Sequence, residues 1–504
     1  MQLYCVRVEE FGAGAAESRL ALEVLAAPRK ILRPAELRRG FGMAPFWGKV
    51  VSSLALRTVA SFRYIRGFAF GGIMKRLCLH LLPIVFAALV ASLPDVAFAA
   101  PGAVRCGKLL DVRAGRMLDD QTVVFDDAGV ITSVGPASSA TLPAGVSAVD
   151  LSGATCLPGL IDVHTHITGN ANEHGYRGLG ISVPREAING VKNARITLRA
   201  GFTTIRNVGA HDFTDVALRD AINAGDVEGP RMLVSGPPLG ITGGHCDENL
   251  LPYEFHYKAE GVADGPWAAQ AKVREVIKYG ADLIKICASG GVLSKGDLPD
   301  APQYTLEEMQ DIAAEAHRLG RKVAAHAHGT ESIKEAIRAG IDSIEHSSLI
   351  DEEGIRLAKE HGTYLVFDIY NDDYILAMGE KAGMLPESIE KERKIGRLQR
   401  ENFRKSFLAG AKMAFGTDAG VYPHGDNAKQ FAKMVEFGMK PIDAIQAATI
   451  NAADLMGWSD KVGALEKGHY ADVIAVQGDP LADVHVLEQV KFVMKGGRVV
   501  KNEK

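Results

Sequence analysis

Apolar and polar positions divide the chain into two kinds of segment. Between residues 158 and about 460, short apolar runs alternate with longer stretches of helical period. The runs at 160–163, 203–206, 232–234, 283–286, 322–325, 343–345, 364–366 and 413–415 have the length and continuity of strands buried on both faces. The stretches between them read as helices. One opens on a capping box, Thr305 to Glu308, runs to about Leu319 and stops at Gly320. Eight strand–helix units in succession predict an α/β fold, a (β/α)8 TIM barrel over residues 158–460.

The flanking segments have a different rhythm. Residues 123–125 and 130–134 surround the turn 126–129, which predicts a hairpin. After Lys461, the runs 471–476, 490–494 and 498–500 are separated by Gly-containing turns. Strand-rich segments at both ends predict a small β-sandwich domain built from 100–157 and 461–504, because chain ends commonly lie close together.

Upstream, Lys75 and Arg76 precede an apolar run to about Leu93, and Ala97-Phe98-Ala99 follows. That order is a signal peptide over 74–99, and it predicts a secreted or periplasmic protein beginning near Ala100. Pro83, Pro94 and the shortness of the run argue against a stable membrane anchor. Residues 1–73 are Arg-rich and irregular, and read as a non-native upstream extension of the gene.

Composition is that of a globular protein, with 47% hydrophobic and 23% charged residues. A net charge of −4 gives nucleic-acid binding no electrostatic support. The cysteines Cys5, Cys78, Cys106, Cys156, Cys246 and Cys287 show no CxxC pair. A disulfide among them cannot be assigned from spacing, and Cys156 and Cys287, in apolar runs, are expected as buried apolar side chains.

Barrel enzymes carry their chemistry at the C-terminal ends of the strands. The first run is followed by His164 and His166, and Lys285 lies in the fourth. His326 and His328 follow the fifth, His346 the sixth, and Asp418 the eighth. Residues two apart in a strand face one side, so His164 and His166 suit one metal, and a carboxylate completes such a site. Lys285 is costly to bury while charged. Burial favours its neutral amine, which can add carbon dioxide to form a bridging carbamate. The alternative is a lysine whose head reaches the barrel mouth.

The motifs Pro158-Gly159-Leu160-Ile161-Asp162-Val163-His164-Thr165-His166, Ile284-Lys285-Ile286, His326-Ala327-His328-Gly329, Ile344-Glu345-His346 and Gly416-Thr417-Asp418-Ala419-Gly420 resemble the amidohydrolase superfamily. So does the tail Gly468-His469-Tyr470-Ala471-Asp472. Together they span the mature chain. Gly243-Gly244-His245-Cys246-Asp247, Asp368-Ile369-Tyr370-Asn371 and Tyr422-Pro423-His424-Gly425-Asp426-Asn427 look like its imidazolonepropionase-like branch of zinc dipeptidases that cleave Xaa-Arg and Xaa-Lys.

The resemblance implies two divalent metals, zinc, with His164, His166 and Asp418 on one and His326 and His346 on the other. Carboxylated Lys285 would bridge them. A metal-bridging hydroxide would attack the peptide bond of a dipeptide or N-acyl amino acid, with Asp418 moving the proton. His328, at a position relatives often fill with tyrosine, would polarise the carbonyl. His245 is a candidate for the substrate carboxylate, with a packing role as the alternative, and His424 is a further substrate-binding candidate. Asp247, Glu248, Asp372, Asp373 and Asp426 are candidates for a basic side chain.

His174, His211 and His256 are expected at the rim or surface. Relatives imply a homo-oligomer. Alternatives on the same site are an Xaa-Pro dipeptidase, an ochratoxin-type acyl-amino-acid hydrolase, and a mononuclear deaminase or imidazolonepropionase.

Overall fold

The computed structural model describes residues 100–503, so the expectations for 1–73 and 74–99 lie outside the described residues. Strands β1 (Gly102–Asp111), β2 (Arg116–Phe125), β3 (Ile131–Pro136) and β4 (Ala148–Pro158) come from the N-terminal segment. They join β12 (Val473–Val476), β13 (Phe492–Lys495) and β14 (Arg498–Asn502) in one seven-stranded sheet of order β14-β13-β12-β4-β1-β2-β3. The two ends of the chain meet where β4 pairs antiparallel with β12, Cys156 opposite Ala475.

Val104, Val123, Phe125 and Ile131 share a core with Val473, Ala475, Phe492 and Met494. The hairpin turn at Gly129 abuts the β13–β14 turn. Gly129 has φ +72°, and a Cβ there would lie 2.2 Å from the Gly496 carbonyl oxygen, so the opposite edges of the sheet close on one another.

A disulfide between Cys106 and Cys156 ties β1 to β4 in this core, and a second joins Cys246 to Cys287. Cys156 and Cys287 are therefore buried as expected, but as cross-links rather than as free apolar side chains.

The barrel strands are β5 (Leu160–Thr165), β6 (Phe202–Asn207), β7 (Arg231–Val234), β8 (Leu283–Cys287), β9 (Lys322–Ala327), β10 (Ser343–His346) and β11 (Tyr364–Val366). They form parallel sheets β5-β6-β7 and β11-β10-β9-β8. Backbone bonds close both seams. At one, Leu239 N–H donates to Lys285 O (2.8 Å) and Cys287 N–H donates to Leu239 O (2.8 Å). At the other, Leu365 N–H donates to Lys412 O (2.9 Å), Val163 N–H to Phe415 O (2.9 Å) and His166 N–H to Ala419 O (2.8 Å).

The run at 413–415, expected as the eighth strand, is thus present as isolated bridges rather than as a continuous strand. The reason lies just beyond it. Asp418 has φ +57°, so the chain leaves extended geometry to aim that residue inward. Gly416 allows the approach: a Cβ there would lie 2.3 Å from Val366 Cγ1 and 2.8 Å from His164 Cβ.

Helices pack outside the strands. Leu306–Arg318 carries the expected capping box and buries Met309, Ile312, Ala313 and Ala316 against the barrel. No helix among the described residues is long and apolar enough to cross a membrane.

Candidate metal centre and active site

β5 delivers His164 fully buried and His166 at the edge of a cavity of about 620 Å³. The Asp418 carboxylate lies 3.3 Å from His164 Nε2 and 3.2 Å from His166 Nε2. Two imidazoles and a carboxylate therefore converge at one strand end. Asp162 fixes the arrangement from below. It accepts from His164 N–H (3.1 Å), Thr417 N–H (3.2 Å), Thr417 Oγ1 (2.5 Å) and Asn427 Nδ2 (2.8 Å), so β5 and the Asp418 loop are held by one buried carboxyl.

His326, His328 and His346 stand beside this group. The ring centroids of His164 and His346 are 5.0 Å apart, those of His326 and His346 4.5 Å, and those of His328 and His346 4.6 Å. Two overlapping triads have ligand atoms within 4.8 Å of one another: His326, His328 and His346, and His164, His346 and Asp418. His328, expected only to polarise a carbonyl, is thus placed as a potential ligand as well. His346, Ser347 and Asp418 have φ of +69°, +50° and +57°, conformations that cost about 1–3 kcal/mol each and that cluster at functional sites.

The buried polar atoms fit a cation. Both ring nitrogens of His164 lie within 3.3 Å of a carboxylate, Glu345 or Asp418, yet neither is aligned for a hydrogen bond. Burial and Lys285 oppose a proton on His164, but the Asp418 and Glu345 carboxylates outweigh them and hold its pKa up at about 9. Burial, reinforced by neighbouring imidazoles, pushes His326 and His328 well below the usual range. They are neutral donors, the form that binds metal.

Lys285, 3% exposed in β8, is pushed down to about 8 by burial, against the pull of Glu345 and Asp418. It lines the same cavity as His166, His326, His328, His346 and Asp418.

Residues that sequence reasoning gave no role to support these groups. Asp368 Oδ2 bonds His346 Nδ1 (3.0 Å) and accepts from Asn371 (2.6 Å), while its Oδ1 accepts from Gln399 (2.7 Å). Asn371 also donates to Asp418 Oδ2 (3.2 Å). Arg206 donates to Glu345 Oε1 (2.7 Å) inside the barrel.

His245 stacks on His326 with centroids 4.0 Å apart and bonds Ser294 Oγ through Nδ1 (2.8 Å). Burial, with His346 and Lys285, brings its pKa to about 4 against the pull of Asp297, so it offers a neutral hydrogen bond rather than a charge. The adjacent Cys246–Cys287 disulfide anchors its loop to the end of β8.

His424 is not among the residues lining the cavity. It is buried, with Nε2 on the Gly169 carbonyl (3.2 Å). Of the five loop acids, Asp247 and Glu248 line the cavity, whereas Asp372 and Asp373 pair with Arg400 and Asp426 with Lys429. His174 and His211 line the rim, and His256 is exposed.

A model of the amidohydrolase family matches residues 155–500. The chain belongs to the amidohydrolase family. The ochratoxinase of Aspergillus niger is 35% identical over 369 residues, covering 68% of this chain and 75% of that protein. The imidazolonepropionase of Pseudomonas fluorescens (strain Pf0-1) is 24% identical over 403 residues, covering 72% and 90%. A crystal structure of an Xaa-Pro dipeptidase with methionine bound in the active site superposes with a TM-score of 0.74 at 36% identity, covering 80% of this chain and all of that one. This amidohydrolase is accordingly a hydrolase of C–N bonds in a metal-dependent family, and its His and Asp groups are arranged to hold metal.

Proposed function

We propose that the protein is a two-metal dipeptidase that releases C-terminal Arg or Lys. The observation that carries the reading is the cavity itself. Nine carboxyl side chains line it, and Lys285 is the one lysine or arginine among the described lining residues. A cavity of that sign concentrates cationic substrates.

Two divalent cations, zinc in this reading, held by His164, His166, His326, His346, Asp418 and a Lys285 carbamate, would supply carbonyl polarisation and a water acidic enough to attack near neutral pH. Carbamate formation joins the neutral Lys285 amine to carbon dioxide with loss of one proton, and the lowered pKa of the buried amine favours it.

Asp418 takes a proton from the attacking water and delivers it to the departing amine. Asn371 Nδ2, donating to Asp418 Oδ2, holds the carboxylate in place for both transfers. His328 Nδ1 lies 2.8 Å from Ser348 Oγ, and in the tautomer in which Nδ1 accepts this bond the proton on Nε2 is available to the carbonyl oxygen as negative charge develops. His245 is the neutral donor for the substrate carboxylate.

The test is amino-acid release from Xaa-Arg, Xaa-Lys, Xaa-Pro, Xaa-Leu and N-acyl-Phe substrates by zinc-loaded protein. Release confined to Arg and Lys supports the reading. The similarity to an Xaa-Pro dipeptidase and to ochratoxinase favours a second reading, in which Pro or Phe is released by the same groups.

We also propose that the protein is exported and assembles as a homo-oligomer. The two disulfides suit an oxidising compartment. N-terminal sequencing of the exported protein is expected to begin near Ala100, and light scattering to give a multiple of the chain mass. A retained Met1 or a monomer would contradict these readings.

A further inference from the structure

The helix Pro386–Leu408 presents Glu392, Ile395 and Gln399 to the cavity, positions that share one helical stripe. Gln399 holds Asp368. Glu392 has no such role. It is 5% exposed, and it makes no hydrogen bond or ion pair with any described residue.

Its surroundings are negative. The carboxylates of Asp372 and Asp368 lie nearby. Arg400, the neighbouring cation, is committed to Asp372 (2.7 Å), Asp373 (3.1 Å) and the Ile369 carbonyl (2.9 Å). A carboxyl buried without a partner is costly, and such groups are kept where a ligand supplies the partner.

The other lining acids are occupied or exposed. Glu173 accepts from Asn170 and Asn189, Glu186 binds His211, and Glu260 accepts from Tyr257. Asp247 and Glu248 accept backbone N–H groups, and Asp212 is exposed.

The space around Glu392 has a shape. Gly396, one turn along the helix, makes room for two carboxyls: a Cβ there would lie 2.4 Å from Asp372 Oδ1 and 2.6 Å from Glu392 Oε1. Val292, Ile375, Ile395 and Val421 pack in one apolar cluster and line the same cavity. An apolar sleeve that ends on a buried, unpaired carboxyl matches an arginine or lysine side chain, whose methylene stem is apolar and whose head is cationic.

We propose that Glu392 and this sleeve form the subsite for the substrate's basic side chain, with the Glu392 carboxylate bonding the guanidinium or ammonium head. The assignment rests on the basic-residue reading of the active site. Burial, together with Asp372 and Asp368, pushes the carboxyl up to about 8, and a bound cation offsets that cost as the proton leaves.

The experiment is calorimetric binding of L-arginine and of its neutral isostere L-citrulline to the metal-loaded protein, its E392Q variant and its E392D variant, with thermal melting as a check on folding. Arginine is expected to bind about ten-fold or more tightly than citrulline, the scale of one charge-assisted hydrogen bond. E392Q should bring the two affinities together while leaving that of citrulline unchanged, and E392D should restore part of the preference. In turnover of Xaa-Arg, E392Q should raise KM by a larger factor than it lowers kcat.

Equal affinity in the parent protein, or a preference that survives E392Q, overturns the subsite. Cleavage of Xaa-Arg unaffected by E392Q would leave the dipeptidase reading standing without it. Arginine bound through Glu392 with no Xaa-Arg cleavage would leave the subsite standing and remove the dipeptidase reading.

Discussion

Asp418 is asked to do most at the residue scale. It meets the imidazoles of His164 and His166 at the end of β5, adopts a left-handed backbone, and accepts from Asn371. Asp418→Asn keeps the shape and removes the base. Its kcat is expected to fall by about 10²–10⁴-fold, the usual contribution of a positioned general base, at an unchanged melting temperature. Near-normal turnover in that variant contradicts the assignment.

Arg206 and Glu345 make a different kind of statement, about stability. Burial opposes the Glu345 charge, but Arg206 and His164 outweigh it and hold the carboxyl well below its usual value of 4.5. A depressed carboxylate stabilises the fold in full above its unfolded pKa and loses that contribution as pH falls. Arg206→Met leaves the charge uncompensated, so denaturant titration at neutral pH should show a loss of about 3–5 kcal/mol. The loss should shrink in acid, and a pH-independent loss would show that the pair does not act through charge.

The elements carry the second layer of the argument. The strand-end histidines and Asp418 were legible because a (β/α)8 reading says where to look, and continuous apolar runs mark the strands. The eighth strand was legible in place but not in form, because the chain turns inward at Gly416 and Asp418 and leaves only bridges.

The helix Pro386–Leu408 hid its function for another reason. Its sequence is dense in Glu, Lys and Arg, and pairs such as Arg397–Glu401 are ordinary solvated contacts. Nothing in the pattern separates Glu392 or Gln399 from those residues; only the packing against the cavity does. Gln399→Ala removes a donor from Asp368 and loosens His346 behind it. Metal affinity, measured by competition with a chelating dye, should fall about 10–100-fold, as is usual when a ligand's outer support is lost. Unchanged affinity would detach this helix from the site.

For the whole molecule, the pairing of its two ends was readable from matching strand segments, whereas the cross-links were not. A cysteine in an apolar strand looks the same whether free or bonded, and only the folded sheet brings Cys106 beside Cys156. The four cysteines of the described residues are all paired. A thiol titration of denatured protein comprising residues 100–504 is therefore expected to find none before reduction and four after it. Free thiols before reduction would contradict the pairing.

The Cys246–Cys287 disulfide and the candidate metal site meet at Cys287, two residues from Lys285, so fold and chemistry share one strand end. The most direct measurement of the central claim is the rate of arginine release from an Xaa-Arg dipeptide by protein stripped of metal and then titrated with zinc. The account predicts no release from stripped protein and a rise that saturates at two zinc ions per chain. Release in the presence of chelator, or saturation at one ion, would contradict it.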